Sequence, residues 1–273
     1  MLSQGWVNNG EVSLAAVSYQ PEVPKFKAGV LLIAGFSQSM CDNDYFMAKL
    51  ARRLAGAGLY VLQVDPRGHG DSPGNLEDVT LDTLREDLRS AIQFGGEQSG
   101  GKMIGIGRGL SALLLAEEDL HPGLGEVAGI APYCLAPEVA CALFPQLGPD
   151  VIDSAALLTG DDYKHFSDFD PEIRAFFEAL GVGLLINFLG QKISGELIRQ
   201  LMKYELDQVF RTNPEARFWL MPKQSDPTGM VRQTLTRPRS LREYQENPFP
   251  GNPLWQYQAI ENVCAWIVQK SSE

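Results

Sequence analysis

Histidine is scarce in this chain. Its 273 residues include only three, His69, His121 and His165, so chemistry needing a side chain that titrates near neutral pH has few candidates. Cysteine is nearly as sparse. Cys41, Cys134, Cys141 and Cys264 form no CxxC pair and no metal-ligand spacing, which argues against a zinc or dithiol redox site and suits reduced thiols in the cytoplasm. Positive charge is also short, with 23 Lys and Arg against 34 Asp and Glu and a net charge of −11. Nucleic acid and anionic membranes, which favour basic faces, are not expected partners. The longest apolar stretch, Leu180 to Leu189, is too short to span a bilayer. The start, Met1 to Trp6, has neither the basic region nor the apolar core of a secretory leader. A cytoplasmic protein without a transmembrane segment, metal or cofactor is expected.

Apolar residues make up 44% of the chain, enough for a large buried core. Glu11 to Tyr19 alternates and predicts an edge strand. Gly29 to Ala34 and Leu59 to Asp65 are near-continuous apolar runs, as in strands buried on both faces. Asp42 to Ala57 has helical periodicity and stops at Gly58. Thr80 is a plausible N-cap for an amphipathic helix to Phe94. A strand over Lys102 to Ile106, a helix over Gly109 to Leu120 and a strand over Val127 to Ala131 follow. The alternation predicts an α/β fold with a mostly parallel sheet flanked by helices. From Pro137 to Pro214 it breaks into helices and loops without strand alternation, as in an inserted helical cap. Strands resume at Ala216 to Met221 and Ser240 to Gln245, and a final helix runs from Trp255 to Val268. The expected organisation is a core of residues 1–136 and 215–273 with a cap of residues 137–214.

Three segments, in order, resemble the α/β-hydrolase superfamily. The first is Leu32-Ile33-Ala34-Gly35-Phe36, where that superfamily commonly has His-Gly. The second, Asp65-Pro66-Arg67-Gly68-His69-Gly70-Asp71-Ser72, closely matches its D-x-R-G-x-G-x-S loop. The third is Gly105-Ile106-Gly107-Arg108-Gly109, laid out like the nucleophile elbow G-x-S-x-G. The resemblance implies an α/β-hydrolase fold, with oxyanion-hole N–H groups from Phe36 and Arg108. It places Gly107 where the nucleophile belongs, and glycine has no side chain to attack with. The acid position falls on Asp226, which is equally suited to a turn before Pro227. The stretch from Gln245 to Trp255, where the histidine belongs, has none. Serine and histidine act together in acyl transfer, so no conventional serine hydrolase is expected. The missing elbow serine and the Asn252-Pro253-Leu254-Trp255-Gln256 segment are similar to the type 2 exosortase A system-associated hydrolases.

Other groups could act near the elbow. Ser37, Ser39 and Cys41 follow the first buried strand, although none has an evident base nearby. Ser111 lies about one helical turn past Gly107 and is expected to pack. His69 sits in a loop that is structural in the superfamily, and His121 reads as surface. His165, in the cap, could overhang the pocket. Arg108 could hold a carboxylate or phosphate in a bidentate grip, or pair with an acid such as Asp65 or Asp71.

The cap carries many large apolar residues, Phe176 and Phe177 among them. They would line a pocket for a small-molecule or acyl-type ligand, form the cap's own core, or dock a second copy or a pathway protein. Three functions follow from this reading. The first is a degenerate-triad binding protein with weak or no ester hydrolysis. The second is a non-hydrolytic epimerase, isomerase or lyase using the oxyanion hole, with Asp226 or His165 moving the proton. The third is an interaction module.

Overall fold

The computed structural model describes residues 1–22, 28–130, 151–153, 192–204, 209, 212–213, 216–220, 241–243 and 253–272. Eight strands form the main sheet in the order β1-β2-β4-β3-β5-β6-β9-β10. They are β1 (Leu2–Asn8), β2 (Ser13–Tyr19), β3 (Gly29–Ile33), β4 (Tyr60–Val64), β5 (Met103–Arg108), β6 (Leu124–Ile130), β9 (Arg217–Leu220) and β10 (Leu241–Glu243). β1 and β2 form an antiparallel hairpin, and β2 pairs antiparallel with β4. Every later pairing in the sheet is parallel. The expected mostly parallel sheet is therefore present. β2 is not its edge, because β1 covers it. β1 evades a burial-based reading since Leu2 to Trp6 are all exposed.

Helices cover both faces. On one lie α1 (Asp42–Gly56) and α5 (Pro253–Lys270), sealing Val30, Leu32, Val61, Ile104 and Ile106. On the other lie α2 (Leu81–Ser99) and α3 (Leu110–Leu114), over Leu31, Ile33, Leu62, Val64 and Met103. This division follows from the two-residue period of the strands. Thr80 caps α2 as expected: its hydroxyl accepts the Thr83 N–H at 3.1 Å, while the Thr83 hydroxyl accepts the Thr80 N–H at 2.9 Å. α3 is shorter than the predicted helix, and a separate 3₁₀ stretch covers Glu118–Gly123.

Within the stretch expected to hold only helices and loops, β7 (Val151–Asp153) and β8 (Lys192–Ser194) form a two-stranded antiparallel ribbon. Three residues per strand are too few for alternation to register. α4 (Gly195–Met202) follows, its N-terminus capped by Ser194. Ile193, Leu197, Ile198 and Leu201 then join the core layer of α2. Gln200 ties α4 to α2, accepting the Leu81 N–H at 2.7 Å and donating to Asp82 at 2.9 Å. Residues 192–202 are thus anchored to the core.

Candidate functional site

The carboxyl ends of β3, β4 and β5 converge, and there ligands bind in open α/β sheets. After β4 comes the Asp65 to Ser72 loop, which the hydrogen bonds show to be a brace. The buried Asp65 carboxylate accepts the Met40 N–H at 2.7 Å and the Asp71 N–H at 3.3 Å. The Ser72 hydroxyl donates to the Asp65 carbonyl and accepts the Ala15 N–H. Gly70 has φ +50, and a Cβ there would overlap the Asp65 carboxylate. Arg67 spreads its guanidinium over the buried Asp87 at 2.9 Å, Glu11 at 2.9 Å and Glu86 at 3.1 Å. Burial opposes its charge, but the bonds to Asp87 and the surrounding acids hold its pKa above the ordinary value. His69 is buried edge-on to Phe36, with Nδ1 on the Arg67 carbonyl at 2.9 Å. Burial pushes its pKa down, so it is neutral.

After β3 the chain turns tightly at Gly35 to Gln38. The buried Gln38 side chain folds back so that its Oε1 accepts the Gly35 N–H at 3.1 Å. A Cβ at Gly35 would lie 2.7 Å from that oxygen, so a larger residue there would displace the Gln38 side chain. Ser37 has φ +58, unusual outside glycine, and its buried hydroxyl has no hydrogen-bond partner. Phe36 is buried, whereas Cys41 is exposed at the N-cap of α1.

The elbow itself requires a correction. Gly107 is not its centre. It is a strand residue, paired with Ile33 and Gly129. A Cβ on it would lie 2.4 Å from the Ser111 backbone, because α3 packs directly on this point. The turn between β5 and α3 is made by Gly109, with φ +56 and ψ −125. Its N–H donates to the Ile130 carbonyl at 3.0 Å. The sharp strand-to-helix turn of a nucleophile elbow therefore falls two residues later than the motif suggests, and the window is Gly107-Arg108-Gly109-Leu110-Ser111. The residue at its tip is again a glycine. Ser111 packs, as expected: it is buried and donates to the Ala34 carbonyl at 2.7 Å, fastening α3 to the end of β3.

Arg108, the last residue of β5, is 2% exposed. Its Nε, Nη1 and Nη2 have no hydrogen-bond partner, and it forms no ion pair with Asp65 or Asp71. Its Cζ lies 5.8 Å from the centroid of the Phe46 ring of α1. Burial pushes its pKa down to about 10, which still leaves a cation at neutral pH. The two strand ends meet closely, since a Cβ on Gly35 would be 3.7 Å from the Arg108 carbonyl oxygen. Phe36, Ser37 and Arg108 are thus brought to one place, together with Gly109. Asp226 and His165 lie outside the described residues.

Two further features complete the surroundings. A polar groove of about 640 Å³ lies between α2, α4 and Glu117 to Asp119, away from the elbow. Among the described residues, no group of acidic, histidine and cysteine side chains could hold a metal ion, and no helix is long and apolar enough to cross a membrane.

No protein-family model matches the chain, and no curated protein sequence does. Solved structures do. The Butyrivibrio proteoclasticus protein Est1E, with ferulic acid bound, aligns over 98% of this chain and 100% of its own at 14% identity, with a TM-score of 0.73. The α/β-hydrolase GrgF from Penicillium sp. sh18 aligns over 99% and 97% at 14% identity, with a TM-score of 0.68. A soluble variant of the Saccharomyces cerevisiae monoglyceride lipase, bound to a substrate analogue, aligns over 98% and 95% at 16% identity, with a TM-score of 0.66. Fold survives at such identities where function need not. With its mostly parallel sheet, flanking helices and strand-to-helix turn after β5, the chain has the α/β-hydrolase fold.

Proposed function

We propose that this protein is a triad-deficient α/β-hydrolase-fold protein that binds a small, partly apolar ligand and does not hydrolyse esters. One observation carries the reading: the tip of the strand-to-helix turn, Gly109, has no side chain. Acyl transfer by this architecture needs a nucleophile at that tip and a histidine to move its proton. The sequence offers no histidine between Gln245 and Trp255. His69 is committed to the Asp65 to Ser72 brace. The backbone around the tip can still polarise a ligand oxygen. With Gly109 at the tip, the N–H following the nucleophile position belongs to Leu110 rather than Arg108, and it would act with the N–H of Phe36. In this reading residues 137–214 are the cap over the ligand. Fold neighbours that act on acyl substrates, such as the monoglyceride lipase, favour an acyl-type ligand.

A panel of p-nitrophenyl esters from acetate to octanoate tests the chemistry. No turnover above background is expected. Robust turnover that Ser37→Ala or Cys41→Ala abolishes would overturn the reading. Stabilisation against thermal unfolding is expected from non-hydrolysable alcohols and amides of two to eight carbons, roughly the same chain lengths.

A further inference from the structure

Ile104 and Ile106 of β5 face α1 and α5, in one layer with Phe46 and Ile260. Arg108, two residues further on, shares that face by the alternation of the strand. This apolar layer therefore ends, at the carboxyl edge of the sheet, in a guanidinium. An isolated buried cation is among the most unfavourable groups a fold can contain. The Phe46 ring offsets only a small part of it. A ring face also leaves the in-plane N–H groups unmet. Arg53, Arg67 and Arg85, by contrast, each hold a carboxylate within 2.9 Å. The nearest loop acid, Asp65, already serves the Met40 and Asp71 N–H groups. Arg108 also sits beside the turn tip and the end of β3, where the ligand is placed above.

We propose that Arg108 is the receptor for the ligand's polar end, and that this end is a carboxylate held by two parallel N–H···O bonds. The proposal rests on the preceding reading, that a partly apolar molecule binds here, and adds its headgroup. The planar fork of Nε, Nη1 and Nη2 matches two coplanar oxygens. Charge balance selects a monoanion. A phosphate dianion would leave surplus negative charge in the core, and no second described cation is buried with Arg108. The α1 cation nearest Phe46 in sequence, Lys49, is exposed and donates to Gln256.

The test compares octanoate, octanamide and inorganic phosphate by calorimetry and thermal unfolding, on the native protein and on Arg108→Met and Arg108→Lys. A hydrogen bond to a charged group corresponds to about a ten- to hundred-fold difference in affinity. The native protein should prefer octanoate to octanamide by that factor. Arg108→Met should lose the preference while keeping a native circular dichroism spectrum, and Arg108→Lys should restore part of it. Equal binding of octanoate and octanamide, a preference that survives Arg108→Met, or binding of phosphate but not octanoate overturns the assignment. Equal binding leaves the ligand-binding reading intact. Ester turnover would instead remove that reading and leave the headgroup preference to be measured separately.

Discussion

Two arginines stand at the carboxyl ends of neighbouring parts of one sheet and are treated in opposite ways. Arg67, just past β4, is surrounded by Glu11, Glu86 and the buried Asp87, with every nitrogen of its guanidinium engaged. Arg108, at the end of β5, is more deeply buried and engages nothing but a ring face. Both guanidiniums are largely withdrawn from water, Arg67 partly and Arg108 almost completely, and depth alone does not tell a brace from a binding group. The separation lies in satisfaction. A brace carries its counter-charge within the fold, whereas a binding group leaves that place to a ligand.

Substitutions should expose this difference, the largest effect first. Arg67→Met strands the Asp87 carboxylate, which is only 1% exposed, and should cost about 3–5 kcal/mol in urea unfolding. Arg108→Met removes a charge that nothing opposes. It should leave stability unchanged or raise it by about 1–3 kcal/mol in the absence of ligand. A loss as large as that of Arg67→Met would erase the distinction between the two sites.

Gly107→Ala drives a Cβ into the Ser111 backbone and should cost about 1–3 kcal/mol or more through displacement of α3. A neutral outcome would return the turn tip to position 107. Ser111→Ala deletes one buried hydrogen bond, to the Ala34 carbonyl, and should cost about 1 kcal/mol.

The finest distinction comes from pH. Burial depresses the pKa of His69 in the fold below its value in the unfolded chain. Its contribution is therefore fully present above about pH 6.5. It is lost as pH falls and the unfolded state takes up the proton first. The slope is at most about 1.4 kcal/mol per pH unit. Unfolding between about pH 7 and pH 5.5 should be less pH-dependent in His69→Gln than in the native protein.

Much of this architecture was legible in the residues. The buried strands announced themselves as apolar runs, and Thr80 announced the start of α2. The elements that escaped did so for physical reasons. β1 is exposed along most of its length and held by its hairpin partner, not by burial. The strand-to-helix turn lies at Gly109, two residues past the position expected for it. Gly105, Gly107 and Gly109 recur at the strand period and favour the earlier register, since the later one ends in Ser111, and only backbone dihedrals tell a paired residue from a turning one. The isolation of Arg108 was not legible at all. A sequence shows acids nearby in the chain, such as Asp65 and Asp71, but not that they are already occupied.

The turn at Gly109 also bears on descent and redesign. A glycine is free to adopt many conformations, yet the chain here keeps φ +56 and ψ −125, a shape held by the Ile130 carbonyl on one side and the Ser111 anchor on the other. Under the proposed reading, the main chain keeps the bend that presents a nucleophile while the residue at the bend is a glycine. If that reading holds, a serine at 109 and a base opposite it would be side chains added to a main chain already bent to receive them.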